Sequence, residues 1–76
     1  MLQTYGLMPD IIHEVGHLIK KARIEAGLTQ KELGERLGVG EPTISKYERN
    51  GQNLTIQTLK KVADALNVEL KITFHK

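Results

Sequence analysis

The chain has 76 residues, which is room for one small domain, and its net charge of +2 results from 11 Lys and Arg residues against 9 Asp and Glu residues. It has no cysteine, which excludes a disulfide framework and a thiolate metal site. Hydrophobic residues make up 39%, yet no apolar run is long enough to span a membrane, and the first residues carry no secretory signal. We therefore expect an intracellular, cytoplasmic domain without a cofactor, and its small core favours stabilisation by a second chain or by a metal ion.

Four short helices are predicted, each ended by a residue that tolerates the left-handed conformation. These residues are Gly27, Gly38, Gly51 and Asn67. The first helix covers about residues 11–26, with Asp10 as its N-cap. Its apolar face is centred near Ile19, since apolar residues recur there at the helical spacing.

The next two helices carry start signals of their own. Thr29 and Glu32 form a T-x-x-E capping box, which places the second helix at about residues 30–37. Pro42 falls in the first turn of the third helix, about residues 41–49, where its missing N–H costs nothing.

The fourth helix covers about residues 56–66, with Thr55 as its N-cap, and the residues after it change period. Four apolar side chains there alternate with polar ones, which is the pattern of a β-strand with one buried face. The apolar residues of this strand are Val68, Leu70, Ile72 and Phe74. A lone strand cannot satisfy its own backbone, so we expect it to pair antiparallel with the same strand of a second copy.

These elements divide the chain into an N-terminal extension (residues 1–9), a helical domain (10–67) and a C-terminal dimerisation strand (68–76). The second and third helices form a helix-turn-helix candidate. Its turn is centred on Gly38, and Gly34 lets the two helices approach each other closely.

The most specific signal is the stretch GLTQKELGERLGVGEPTISKYERNG, followed by IQTLKKVADALNV. Over about residues 15–67 it resembles the Xre and phage Cro/repressor family of DNA-binding domains. The resemblance implies an all-α, lambda-repressor-like fold, a compact bundle of four to five helices, with the third helix in the major groove of DNA. It also implies that Gln30 donates to a DNA phosphate and that Arg23 and Glu48 form a buried ion pair.

Chemistry assigns roles to side chains at the front of the third helix. Lys46 can donate to guanine or to a phosphate, Thr43 can contact thymine, and Glu41 can accept from cytosine. The candidate base contacts are Glu41, Pro42, Thr43 and Lys46. The candidate phosphate contacts, which position a protein without selecting a sequence, are Thr29, Gln30, Gly40, Ser45, Arg49, Asn53 and Lys60. A solvated surface residue is the alternative at each position.

The strand after the fourth helix makes the chain similar to HipB-type antitoxins, and more loosely to HigA-type antitoxins. This resemblance implies a homodimer on a palindromic operator, and the half-sites should then lie about 34 Å apart, one helical turn of DNA, or a multiple of that distance. It also implies a toxin as partner, in the HipB case a HipA-like Ser/Thr kinase. The predicted function is sequence-specific transcriptional repression, with autoregulation of a toxin–antitoxin operon. A stand-alone Xre-type regulator and a protein-interaction adaptor are the alternatives.

One motif points to a different class of protein. Residues 13–17 read HEVGH, the H-E-x-x-H of zinc peptidases, in which two His ligate the metal and the Glu acts as a base. On a helical wheel His13 and His17 lie about 140–180° from the face centred near Ile19, so they should face water and not a walled cleft. No third ligand stands at a recognisable spacing. We therefore predict that the chain is not an enzyme and that the motif is an exposed pair without a metal.

Overall fold

The structure, a computed structural model, describes residues 11–51 and 54–76 of the chain. Within these residues it contains four α-helices: α1 (Ile11–Glu25), α2 (Gln30–Leu37), α3 (Glu41–Arg49) and α4 (Ile56–Ala65). The bounds of α2 and α3 are those predicted, while α1 and α4 each end one residue earlier. A fifth helix is not found in the part of the chain that the structure describes, and the predicted Asp10 cap and N-terminal extension (1–9) lie outside it.

The predicted N-caps of α2 and α4 are confirmed. The Thr29 hydroxyl accepts a hydrogen bond from the Glu32 backbone N–H at 3.0 Å, and the Glu32 carboxylate accepts one from the Thr29 N–H at 2.8 Å. At α4, the Thr55 hydroxyl accepts from the Thr58 N–H at 3.0 Å. These side chains satisfy backbone donors that the first turn of a helix leaves without partners.

Three of the four predicted helix breakers adopt the left-handed conformation. Gly27, Gly38 and Asn67 have φ values of 75°, 74° and 61°. The prediction is wrong for Gly51, which is not among the positive-φ residues. A glycine is needed there for another reason, because a Cβ on Gly51 would lie 2.7 Å from the Ile12 carbonyl oxygen of α1.

One apolar cluster joins all four helices. Leu33 of α2 and Ile44 of α3 have no exposed surface, and Ile19 of α1 is 5% exposed. Val62 of α4 and Leu66, just after it, complete the cluster. Helix α3 packs against both α1 and α2, so its position is fixed from two sides. None of the four described helices is long and apolar enough to cross a membrane.

Two helix-interior glycines set the distance between helices. A Cβ on Gly34 would lie 2.6 Å from the Val39 carbonyl oxygen in the turn before α3, which confirms the predicted close approach. A Cβ on Gly16 would lie 2.5 Å from the Glu48 carbonyl oxygen of α3. Backbone atoms cannot move aside as a side-chain end can, so any larger residue at either position forces the helices apart.

The prediction of a C-terminal strand is wrong for the single chain. Residues 68–76 follow α4 without forming a regular element, and the Val68 N–H donates back to the Ala63 carbonyl oxygen at 2.9 Å. A strand is defined by its pairing, and no described segment of the same chain pairs with this one. Three of its four apolar side chains are left in solvent: Val68 is 48%, Ile72 57% and Phe74 98% exposed, whereas Leu70 is half-buried.

Candidate nucleic-acid interface

The outer face of α3 presents polar side chains on a helix that is anchored from behind. Pro42 and Lys46 are exposed on that face, and Glu41 is exposed at the start of the helix. Thr43 is half-buried at the edge of the face. Ile44, on the opposite face, is fully buried in the core. All four predicted base contacts therefore belong to one short helix whose orientation is fixed by packing.

Gly40 is the N-cap residue of α3, and its backbone is extended with φ −80° and ψ 163°. Gly40 has no side chain to cap the first turn, and no side-chain cap is made there. The positive end of the helix dipole is thus open at the point where a DNA phosphate is predicted to bind.

Helices α1 and α2 meet α3 along one side and form with it an open groove of about 360 Å³. The groove is lined by polar and charged residues from α1, α2 and α3: His17, Lys20, Gln30, Ser45, Glu48 and Arg49. Three of the predicted phosphate contacts, Gln30, Ser45 and Arg49, are therefore brought together.

Glu48, which lines this groove, forms a buried ion pair with Arg23, as predicted. The Arg23 Nε donates to Glu48 Oε2 at 2.6 Å, and Nη2 donates to Glu48 Oε1 at 3.1 Å. The remaining Arg23 nitrogen, Nη1, donates to the Leu28 carbonyl oxygen at 2.8 Å. The Arg23 and Glu48 side chains are 11% and 3% exposed. The hydrogen bond to Glu48 raises the pKa of Arg23 above its ordinary value, so the guanidinium stays charged.

Gln30 shares the same carboxylate. Its Nε2 donates to Glu48 Oε1 at 3.1 Å. An amide nitrogen carries two N–H groups, so one is held by Glu48 and the other can reach an acceptor in the groove. The contact fixes the Gln30 side chain in the position from which the predicted phosphate contact would be made.

The other predicted phosphate contacts lie elsewhere. The Thr29 hydroxyl already caps α2. Lys60 does not line the groove, and its Nζ lies 2.6 Å from the Asp64 Oδ1 of the next turn of α4. Asn53 lies outside the described residues. Sequence reasoning missed His17 and Lys20, whose spacing of three residues puts them on one face of α1; the sequence does not reveal which helix faces them.

The HEVGH segment is explained by packing. Gly16 is buried against the α3 backbone, whereas His13 and His17 are exposed, as the helical wheel predicts. Among the described residues, no group of three or more His, Cys, Asp and Glu side chains could hold a metal ion. The segment therefore combines one inward glycine with two outward imidazoles, and no third ligand stands beside them among the described residues.

Helices α2 and α3, joined by a turn at Gly38, form a helix-turn-helix, and the buried Arg23–Glu48 pair ties α3 to α1. This arrangement is that of a helix-turn-helix domain of Xre type. A family model described as helix-turn-helix matches residues 19–72, so the chain belongs to this family, a class of DNA-binding transcriptional regulators. The resemblance found in the sequence is thereby confirmed. The class is non-enzymatic, which agrees with the prediction that the chain is not an enzyme.

Two curated proteins illustrate the relationship. The chain is 41% identical over 54 residues to the HTH-type transcriptional regulator ImmR of Bacillus subtilis, a match to 71% of this chain and 42% of ImmR. It is 30% identical over 76 residues to the antitoxin HipB of Escherichia coli O6:H1, a match to 95% of this chain and 81% of HipB. The chain thus spans less than half the length of ImmR but most of HipB.

The fold is also similar to that of solved structures. The wild-type restriction-modification controller protein C.Esp1396I matches with a TM-score of 0.74 and 36% identity, over 80% of this chain and 79% of that one. The clp gene regulator ClgR from C. glutamicum matches with a TM-score of 0.77, and its 24% identity shows the shared fold alone.

Proposed function

We propose that the chain is a transcriptional repressor that binds a palindromic operator as a homodimer and acts as the antitoxin of a toxin–antitoxin pair, repressing its own operon in the cytoplasm. The observation that carries this proposal is the exposed outer face of α3 beside a groove lined by Lys20 and Arg49. Base edges are read by a helix that enters the major groove, and phosphates are held by basic and amide side chains at its flanks.

The side chains on α3 match the chemistry of base edges. Lys46 can donate to guanine O6 or N7, and Glu41 can accept from the amino group of cytosine. Pro42 and Thr43 offer apolar contact to a thymine methyl group. Gln30, Ser45 and Arg49 would hold the backbone phosphates and fix the register of α3 along the groove.

The exposed tail supports a dimer. Val68, Ile72 and Phe74 are all more than 45% exposed in the single chain, although alternation places them on one face of an extended segment. Pairing of two tails about a two-fold axis would bury these side chains and satisfy both backbones. Two copies would then present α3 to half-sites about 34 Å apart, one turn of DNA.

The antitoxin role is supported by the similarity to HipB, which extends over 95% of this chain and thus includes part of the tail. The partner would be a toxin such as a HipA-like Ser/Thr kinase. A stand-alone regulator is the second candidate, favoured by the 41% identity to ImmR and 36% identity to a restriction-modification controller protein. Co-purification with the protein encoded next to it separates the two, because a stand-alone regulator would retain no such protein.

The test of DNA recognition is a selection of bound sequences from a random duplex library, followed by binding measurements with Lys46→Ala and Arg49→Ala. We expect a palindrome with half-sites one turn apart. Lys46→Ala should weaken binding and reduce the discrimination between bases at one position, which is worth about 1–3 kcal/mol of binding free energy. Arg49→Ala should weaken binding to all duplexes alike. Absence of salt-sensitive binding by the wild-type chain would refute the proposal, and unchanged operator affinity of Lys46→Ala would remove Lys46 from it.

A further inference from the structure

The groove beside α3 has a wall that the helix-turn-helix motif does not supply. His17 and Lys20 project from α1 into the same space as Gln30 of α2 and as Ser45 and Arg49 of α3. All six lining residues are polar or charged, so the groove suits a polar or charged ligand.

The charge of the groove is set by its basic residues. Its one carboxylate, that of Glu48, is 3% exposed, is paired with Arg23 through two hydrogen bonds and accepts a third from Gln30. With this carboxylate neutralised, Lys20 and Arg49 leave the open surface positive. An anion of the size of a phosphodiester, with several acceptor oxygens, fits donors that come from three sides.

We propose that α1 forms the second wall of a phosphate-binding groove, in which His17 and Lys20 contact the backbone of bound DNA. This inference rests on the proposed function and extends it, because it adds a third helix to the contacts made by α2 and α3. Side chains of α3 read bases on one side, and the groove lies next to them, where the sugar–phosphate backbone bordering the major groove would run.

Two matched pairs of variants test the wall. Lys20→Ala is compared with Lys21→Ala, because Lys21 is exposed on the same helix and does not line the groove. His17→Ala is compared with His13→Ala, an exposed histidine one turn earlier. The probe is a fluorescent mixed-sequence DNA duplex of about 20 base pairs, because phosphate contacts need no operator. Affinity is measured by fluorescence anisotropy over a series of salt concentrations.

We expect Lys20→Ala to lower the slope of log affinity against log salt by about one, and Lys21→Ala to leave it near the wild-type value. His17→Ala should weaken binding at low salt, whereas His13→Ala, which lies outside the groove lining, should leave the affinity near the wild-type value. If the wild-type chain binds with a clear salt dependence but Lys20 and Lys21 variants have equal slopes, the α1 wall is refuted and the proposed function stands. If the wild-type chain does not bind DNA, both fall. Equal affinities of the two histidine variants remove His17 from the wall.

Discussion

Two ion pairs in this chain have the same length and opposite surroundings. Arg23 Nε and Glu48 Oε2 are 2.6 Å apart, as are Lys60 Nζ and Asp64 Oδ1. The side chains of the first pair are 11% and 3% exposed, and those of the second are 64% and 60% exposed. Replacing each cation by methionine therefore separates the effect of burial from the effect of distance.

Arg23→Met should be far more damaging than Lys60→Met. Loss of Arg23 leaves the buried Glu48 carboxylate with Gln30 as its remaining donor and takes the Nη1 donor away from Leu28 O. Breaking a buried pair from one side costs about 3–5 kcal/mol. The total free energy of unfolding of a 76-residue domain is about 4–11 kcal/mol, at about 0.05–0.15 kcal/mol per residue. Lys60→Met breaks an exposed pair four residues apart and should cost about 0.3–0.5 kcal/mol.

The free energy of unfolding of both variants is measured by urea denaturation monitored by circular dichroism. The double variant Arg23→Met with Glu48→Met keeps the experiment decisive if the single variant is largely unfolded, because it removes the buried charge together with its partner. We expect the double variant to be more stable than Arg23→Met alone. The reasoning fails if Arg23→Met costs no more than Lys60→Met, or if the double variant loses as much as the sum of its two single changes.

Three further changes test the dimer contact, a helix contact and a helix cap. Ile72→Asp should shift the chain toward monomer in sedimentation, whereas Thr73→Asp, on the other face of the alternating segment, should not; equal behaviour would remove the tail from the interface. Gly34→Ala should lower the free energy of unfolding by about 1 kcal/mol or more, since overpacking against backbone costs about 1–3 kcal/mol and outweighs a helix-propensity gain of about 0.5–1 kcal/mol; a stabilised variant would contradict this. The hydrogen bond from the Thr29 N–H lowers the pKa of Glu32 below its ordinary 4.5. The stability that the Glu32 carboxylate contributes is therefore present above pH 4.5 and is lost as the pH falls through the lower pKa of the folded state. Between about pH 5 and pH 3 the urea concentration at the midpoint of unfolding should therefore fall less for Glu32→Gln than for the wild type. An equal fall in both proteins would argue against this link between the pKa and stability.

The helix bounds follow from short-range signals. The capping box at Thr29 and Glu32 and the left-handed Gly38 fix both ends of α2 within ten residues of sequence. Pro42 and the turn before it fix the start of α3 in the same way. Such signals involve backbone groups a few bonds apart, so they act whatever the rest of the chain does.

The remaining features depend on partners that are distant in the sequence. Gly16 and Gly51 are explained by the closeness of α1 to the segment around α3, which no local pattern encodes. His17 and Lys20 line the groove because α2 and α3 lie opposite them. The tail from residue 68 shows strand alternation, but a strand forms only against another, so its structure is a property of an assembly.

The buried pair is where the stability of this domain and its proposed contact with DNA meet. Glu48 accepts from Arg23 of α1 and from Gln30 of α2 while it belongs to α3, so one carboxylate holds the three helices that form the groove. A change at Arg23 that leaves the chain folded still removes the charge that balances Glu48, which then brings an uncompensated negative charge to the site proposed for a phosphate. DNA affinity of folded Arg23→Met should therefore fall by more than its unfolded fraction explains. Lys60→Met should lower DNA affinity by no more than the removal of one exposed positive charge does, because Lys60 lies outside the groove.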